Sequence, residues 1–131
     1  MSEKNIAEGK EFLARNATEP GVKVTASGLQ YRLDAEGTGP SPKATDTVRV
    51  HYEGRLLNGT VFDSSRSRGE PLVFPLNRVI KGWTEGLQLM KVGGQATLYI
   101  PSDLAYGARG AGALIGPHAT LVFEVELLGI D

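Results

Sequence analysis

A chain of 131 residues, 40% of them hydrophobic, is long enough to bury the core of one domain. Its 14 basic and 15 acidic residues are interspersed and leave a formal net charge of -1, a pattern that favours neither nucleic acid nor an anionic membrane as a partner. The absence of cysteine excludes a disulfide framework, a thiol nucleophile and cysteine-ligated metal sites. The polar amino terminus has no signal-like apolar run, and no stretch has the length of a membrane span. The expected location is therefore cytoplasmic, with a truncated form of a longer dimeric or secreted protein as the alternative.

The first part of the chain predicts a helix followed by a strand. Residues 3–17 are charged and contain alanine, with Phe12 among the few apolar contacts, which indicates a short amphipathic helix. Glu19-Pro20-Gly21 ends this helix, because proline disfavours helical geometry in the residue before it. Apolar and polar residues alternate over residues 29–33, the period of a half-buried strand. Residues 36–46 are rich in glycine, proline, serine and threonine and predict a surface loop.

Residues 48–62 predict a β-hairpin. The first strand alternates apolar and polar side chains, and Asn58-Gly59 is typical of a type I′ turn, which requires positive φ at both central positions. Residues 63–70 are polar and predict a loop or bulge that interrupts the second strand. Apolar character returns over residues 71–76.

The segment Val79-Ile80-Lys81-Gly82-Trp83 begins a predicted short helix and contains the only tryptophan of the chain. Leu87 and Met90 follow Trp83 at i+4 and i+7, the spacing that places side chains on one helical face. Because strands are predicted before and after this helix, we expect it to pack on the concave face of a sheet. Trp83 is then either an ordinary core residue or the floor of a pocket.

The last part of the chain predicts two more strands, over residues 96–100 and 120–128, separated by a glycine-rich loop over residues 102–118. A loop of this length in a small domain is a candidate functional loop. The elements together predict an α+β fold, in which an antiparallel sheet of five or six strands wraps around one short helix, with another short helix at the amino terminus.

Recognisable catalytic or metal-binding motifs are not evident. His51 and His118 are too few and too distant in sequence to predict a metal site, so neither a metal nor a cofactor is expected. The glycines of residues 107–112 lack the helix-opening pattern of a phosphate loop and indicate a flexible loop. Ser64-Ser65 favours a turn over a nucleophile, because no motif supplies a base.

Aromatic and aliphatic residues beside a few hydroxyl groups are instead typical of an apolar ligand site. Five segments occur in the same order as in the FKBP family, peptidyl-prolyl cis/trans isomerases that also bind the macrolides tacrolimus and rapamycin, and they resemble that family over residues 28–131. The segments are Val50-His51-Tyr52-Glu53-Gly54, Val61-Phe62-Asp63-Ser64-Ser65, residues 79–87, Ala105-Tyr106-Gly107 and residues 117–127.

The resemblance implies the residues of the site. The catalytic residues would be Asp63, Tyr106, Phe62, Trp83 and Phe123, and the ligand-binding residues would be Tyr52, Arg68, Phe74, Val79, Ile80, Leu114 and Ile115. Trp83 would form the floor under the proline ring, while the backbone N–H of Ile80 and the hydroxyl of Tyr106 would bind carbonyl groups. Leu114 and Ile115 would lie over the rim. Leu72 stands where many family members have an aromatic residue.

The resemblance also implies a function. The protein would isomerise X-Pro bonds in peptides and proteins, assist protein folding and bind tacrolimus and rapamycin. Residues 1–27, which resemble the segment before the catalytic domain in the macrophage infectivity potentiator-like branch, would form a helical extension and linker to an isomerase domain over residues 28–131. We expect a monomer without nucleic-acid or membrane partners. An interaction module that uses the same pocket only to hold a partner is the competing interpretation.

Overall fold

An antiparallel sheet of seven strands organises residues 2–131, the part of the chain that the computed structural model describes. The strands are β1 (Val22–Val24), β2 (Gln30–Ala35), β3 (Thr47–Leu56), β4 (Val61–Ser64), β5 (Leu72–Pro75), β6 (Gln95–Ile100) and β7 (Leu121–Ile130). Their order across the sheet is β1-β2-β6-β7-β3-β4, and β5 also pairs with β3. The predicted α+β class and antiparallel sheet are confirmed. The sheet has one strand more than the five or six expected, because β1 lies in the segment that was predicted as a linker.

A short helix, α3 (Lys81–Leu87), packs on one face of the sheet. Its two glycines allow close contact with β6: a Cβ at Gly82 would lie 2.6 Å from Ile100, and a Cβ at Gly86 would lie 2.9 Å from Leu98. The buried side chains between helix and sheet form one cluster, which includes Leu29, Val48, Val50, Leu76, Leu87, Leu98, Ile100, Leu121 and Leu127. The predicted core helix is therefore present, and the glycines fix its distance from the sheet.

The amino-terminal helix, α1 (Ser2–Asn16), lies on the opposite face of the sheet from α3. Side chains alternate between the two faces of a strand, so Tyr99 of β6 points away from Leu98, which contacts α3. Tyr99 is buried, and its ring centroid is 5.9 Å from that of Phe12 in α1. The helix therefore covers part of the outer face of the sheet.

Two buried amides join α1 to the sheet. The Gln30 side chain accepts a hydrogen bond from Nδ2 of Asn16 at 2.8 Å and donates one from Nε2 to the carbonyl of Leu13 at 2.9 Å. Both amide side chains are more than nine-tenths buried. The Leu13 carbonyl, in the last turn of α1, also accepts from the Ala17 N–H at 3.0 Å, so Gln30 adds a second hydrogen bond there and ties the end of the helix to β2.

We expect Gln30→Leu to lower the free energy of unfolding by about 1–3 kcal/mol, because it leaves the buried amide of Asn16 without its hydrogen-bond partner and removes the second hydrogen bond to the Leu13 carbonyl. Urea denaturation followed by circular dichroism measures the change. Gln95→Leu is the matched control, since Gln95 is exposed on β6. Equal losses in the two variants would show that the buried contacts of Gln30 add nothing.

The hairpin turn between β3 and β4 differs from the predicted type I′ turn. Among the described non-glycine residues, only His118 has positive φ, so Asn58 does not, whereas Gly59 has φ of 91°. The Gly59 N–H donates to the carbonyl of Leu56, and the Leu56 N–H donates to the carbonyl of Thr60. These features describe a three-residue loop in which a turn is followed by a glycine in the left-handed region. The hairpin itself was predicted correctly.

The polar segment after β4 forms one turn of helix, α2 (Ser65–Arg68), rather than only the predicted loop or bulge. The Ser64 hydroxyl accepts a hydrogen bond from the Ser67 N–H, and Gly69 follows the helix with φ of 76°. A serine before the first turn and a left-handed glycine after the last are typical helix caps. This turn directs Arg68 back toward Asp63.

Candidate active-site cleft

A cleft of about 500 Å³ opens at the amino-terminal end of α3, where several strands and a loop converge. It is lined by Tyr52 of β3, Phe62 and Asp63 of β4, Leu72 of β5, Arg78, Val79 and Ile80 before α3, Trp83 of α3, Tyr106 of the long loop, and Phe123 of β7. Nearly all of these side chains are apolar or aromatic. The cleft is therefore suited to a small apolar group rather than to a charged one.

Trp83 is part of the hydrophobic core and also of the cleft wall. Its ring centroid is 5.0 Å from that of Tyr52 and 5.2 Å from that of Phe123, both in edge-to-face geometry, and 5.4 Å from that of Phe74. Such contacts stabilise aromatic clusters beyond the area they bury. Trp83 is only 4% exposed, and its Nε1–H has no hydrogen-bond partner among residues 2–131. Trp83 is therefore a core residue that also lines the cleft.

The polar side of the cleft is a closed group of three side chains. The Tyr52 hydroxyl donates to Asp63 at 2.5 Å, and Arg68 donates to Asp63 at 2.5 Å and to the Tyr52 hydroxyl at 3.0 Å. Burial raises the pKa of Asp63, but the hydrogen bonds from Tyr52 and Arg68 outweigh it and hold the pKa below its ordinary value. Burial, followed by the hydrogen bond to Asp63, raises the pKa of Tyr52. Near neutral pH the carboxylate is charged and the phenol is neutral.

We expect the pKa of the Asp63 carboxyl to lie below its ordinary value in the folded protein and closer to that value in Tyr52→Phe, because that variant loses a hydrogen bond to the ionised form. A depressed pKa adds stability above the unfolded-state value, and this contribution is lost as the pH falls through the folded-state value. Carboxyl carbon chemical shifts measure the midpoint. Tyr31→Phe is the control, since Tyr31 lies outside the cleft, and an unchanged midpoint in Tyr52→Phe would contradict the assigned hydrogen bond.

Two hydrogen-bond donors at the cleft are free within residues 2–131. Neither the backbone N–H of Ile80 nor the hydroxyl of Tyr106 forms a hydrogen bond with another described residue, whereas the Ile80 carbonyl accepts from Trp83 and Thr84 at the start of α3. Burial, with a smaller effect from the charge of Asp63, raises the pKa of the Tyr106 phenol, so it remains protonated near neutral pH. The cleft thus presents donors suited to carbonyl oxygens on an otherwise apolar surface.

The structure brings together eight of the twelve site residues expected from the sequence. These are Tyr52, Phe62, Asp63, Val79, Ile80, Trp83, Tyr106 and Phe123. The other four do not line the cleft. Arg68 contacts it only through Asp63 and Tyr52, and Phe74 packs against Trp83 within the core.

The two residues expected over the rim lie elsewhere. Leu114 is 51% exposed and lines a separate small cleft that also includes Asn5 of α1 and the β3–β4 turn. Ile115 is buried, and its backbone pairs with that of Ala111 within the long loop. Neither side chain is among the residues that line the main cleft.

Two further residues line the cleft: Leu72, which the sequence identified only as standing where many family members have an aromatic residue, and Arg78, to which it assigned no role. Leu72 pairs with Val50 across β5 and β3, one strand away from Tyr52. Arg78 ends a short 3₁₀ turn, Leu76–Arg78, directly before Val79 and Ile80. Arg78 directly precedes Val79 and Ile80, which were expected in the site, and this position in the sequence was the signal that could have identified it.

Within residues 2–131, no group of three or more histidine, aspartate or glutamate side chains could hold a metal ion. None of the helices described here has the length and apolar character needed to cross a membrane.

Two families match the sequence. Residues 39–128 match the family described as FKBP-type peptidyl-prolyl cis-trans isomerase, and residues 1–33 match the family described as the domain amino terminal to FKBP-type peptidyl-prolyl isomerase. The first match covers more than half of the chain and includes the whole cleft.

Individual proteins are similar over almost the whole chain. A probable FKBP-type peptidyl-prolyl cis-trans isomerase, FkpA, from Neisseria meningitidis is 59% identical over 96% of this chain and 46% of its own length. The crystal structure of FkpA from Escherichia coli superposes with a TM-score of 0.96 and 49% identity, covering 99% of this chain and 61% of that one. A peptidyl-prolyl cis-trans isomerase from Pseudomonas syringae has a TM-score of 0.92 and 44% identity, covering 100% and 96%. The chain spans about half the length of the curated relatives it matches.

The prediction of a cytoplasmic location is wrong, because the names of the relatives point away from the cytoplasm. FkpA and Mip proteins are among the relatives, and a Legionella longbeachae protein that is 47% identical over 98% of this chain is named outer membrane protein MIP. The cytoplasmic prediction relied on a polar amino terminus and a balanced charge. A polar amino terminus and a balanced charge are compatible with any aqueous compartment, so neither property could identify the compartment of this protein.

Proposed function

The chain belongs to the FKBP-type peptidyl-prolyl cis-trans isomerase family, and we propose that it is an enzyme that isomerises X-Pro bonds in peptides and proteins. The observation that carries this proposal is the apolar cleft over Trp83 with two free hydrogen-bond donors at its edge. A proline ring is apolar, and the peptide on either side of it offers carbonyl oxygens. The cleft matches both parts of such a substrate.

The reaction breaks no covalent bond and needs no nucleophile. Rotation about a peptide bond has a barrier of about 18–20 kcal/mol, because the twisted amide loses its resonance. Water stabilises the charge-separated planar amide more than the twisted one, so transfer into an apolar cleft favours the transition state. The aromatic walls from Tyr52, Phe62 and Phe123 exclude water from the rotating bond.

We assign roles to the residues that surround the bound proline. Trp83 supports the ring, while the Ile80 N–H and the Tyr106 hydroxyl donate to carbonyl oxygens of the substrate and hold the flanking chain as the bond turns. Asp63 is already paired with Tyr52 and Arg68. It therefore fixes the orientation of the Tyr52 ring and adds a polar edge to the cleft, without acting as an acid or base.

A protease-coupled assay tests the proposal with an X-Pro peptide whose trans form alone is cleaved. We expect the slow phase that corresponds to isomerisation to accelerate in proportion to protein concentration. If the slow phase keeps its uncatalysed rate at micromolar protein, the enzyme proposal is wrong. Peptide binding without acceleration would instead support the competing interaction module.

We further propose that the protein assists the folding of proline-containing proteins and that the cleft binds macrolides such as tacrolimus and rapamycin. A large apolar ring system with carbonyl groups would use the same floor and donors as a proline peptide. Trp83 is the only tryptophan, so rapamycin bound over it should change the protein fluorescence and raise the melting temperature. If both stay constant on titration, macrolide binding is excluded.

The domain boundary at residues 27 and 28 and the monomeric state remain predictions. The contacts of Gln30 with Asn16 and Leu13 favour an extension that docks on the sheet rather than moving freely. Static light scattering across a range of concentrations tests the monomeric state of this chain, and a mass of two chains would contradict it.

A further inference from the structure

Arg78 is a charged residue of the cleft without a counter-ion in the part of the chain that the structure describes. It lines the cleft beside Val79 and Ile80, and its side chain is exposed. None of the ion pairs within residues 2–131 includes it. Its guanidinium can therefore meet a group on the substrate without first breaking an internal contact.

The other charged residue that lines the cleft is already neutralised. Asp63 is bonded by Arg68 and accepts from the Tyr52 hydroxyl, so its charge is balanced locally. Lys81, which follows Ile80 and begins α3, is exposed and also has no ion pair among the described residues. Two positive side chains at this edge, Arg78 in the cleft and Lys81 directly after Ile80, therefore have no ion pair within residues 2–131.

We propose that Arg78 makes the cleft select X-Pro sites that carry an acidic side chain next to the X-Pro pair. This inference rests on the proposed isomerase function and adds a substrate preference to it. Arginine presents a planar set of donors that matches a carboxylate with two parallel hydrogen bonds, which a glutamate or aspartate in the substrate supplies. A lysine at the same substrate position would be repelled.

The size of the preference follows from the exposure of Arg78. An ion pair at a solvent-exposed site changes affinity by about twofold to fivefold, and salt weakens it. We expect glutamate to raise kcat/KM by this factor over glutamine, and lysine to lower it similarly. The uncharged contacts with the proline ring are the same in all three peptides, so the difference isolates the charge.

The test uses acetylated and amidated peptides of one length with a central Leu-Pro bond. Glutamate, glutamine or lysine occupies either the position before the leucine or the position after the proline, and exchange spectroscopy by NMR gives kcat/KM without a coupling protease. In the unmodified protein, kcat/KM should be higher for the glutamate peptide than for the lysine peptide at one of the two positions, and that position is the one that faces Arg78. The difference in kcat/KM should shrink as salt is raised from about 20 to 500 mM. Arg78→Gln should abolish the preference, and Arg78→Glu should reverse it.

Lys23→Glu is the matched control, because it makes the same charge change on β1, at the far edge of the sheet from β4. It should keep both the activity and the glutamate preference. A glutamate-to-lysine ratio that stays the same in Arg78→Gln overturns the inference, as does equal turnover of the glutamate, glutamine and lysine peptides at both positions by the unmodified protein. If the protein turns over none of the peptides, the glutamine peptides included, the proposed isomerase function itself is overturned, and the inference with it.

Discussion

Trp83→Leu is expected to give a folded protein whose kcat/KM for an X-Pro peptide falls by about tenfold to a hundredfold, because an aromatic contact worth about 1.5–3 kcal/mol is lost from the cleft. Trp83 also contacts Tyr52, Phe74 and Phe123 in the core, so the free energy of unfolding should fall by about 2 kcal/mol. Loss of the unpaired indole N–H offsets part of that cost. The protease-coupled assay and urea denaturation measure the two quantities.

Phe74→Leu separates the two roles of Trp83. Phe74 packs against Trp83 in the core but does not line the cleft. We expect this variant to lose a similar amount of stability while it retains most of its activity. If the two variants lose activity equally, Trp83 acts only as a core residue and the assigned floor is wrong.

The core of the fold and most of the cleft could be predicted because their residues give strong sequence signals. Trp83, Leu87 and Met90 repeat with helical spacing, and the strands around them alternate clearly. The five ordered segments that resemble the FKBP family then place eight residues at one site, and the structure brings those eight together. Large apolar residues are informative because burial restricts their position.

Short or polar elements gave no comparable signal. β1 has three residues, of which only Val22 is part-buried, so no alternation could be recognised. α2 consists of Ser65-Arg66-Ser67-Arg68 and has no apolar face, although its caps, Ser64 and Gly69, were visible in the sequence. A search for caps as well as for periodicity would have predicted this turn of helix.

The resemblance was least informative where the chain is rich in glycine and alanine. Leu114 and Ile115 were both expected over the rim, but adjacent residues in this loop point to different surroundings, and one is exposed while the other is buried. Their side chains depend on the local backbone path, which includes the pairing of Ala111 with Ile115. A family motif fixes which residues are present more reliably than it fixes the conformation of a loop.

The position of two cleft aromatics depends on a residue without a side chain. A Cβ at Gly54 would lie 2.6 Å from Phe62 and 2.7 Å from Phe123, whose rings pack edge to face with centroids 5.5 Å apart. Both rings line the cleft, and both would have to move to admit a methyl group. Glycine at this position of β3 therefore sets the distance between two walls of the site.

We expect Gly54→Ala to reduce kcat/KM by about a hundredfold, because a displacement of about 1 Å in groups that position a substrate has an effect of this size. Overpacking should also lower the free energy of unfolding by about 1–3 kcal/mol. The protease-coupled assay and urea denaturation measure these effects, and a crystal structure of the variant would show the displaced rings.

Gly129→Ala is the control for Gly54→Ala, because Gly129 also lies in a central strand, β7, but a Cβ there would approach no atom closer than 3.8 Å. It should change neither activity nor stability appreciably. If Gly54→Ala retains full activity although the two rings have moved, the walls formed by Phe62 and Phe123 do not contribute to catalysis. The reaction would then depend on the floor and the two free donors, Trp83, Ile80 and Tyr106, rather than on exclusion of water by the surrounding aromatic rings.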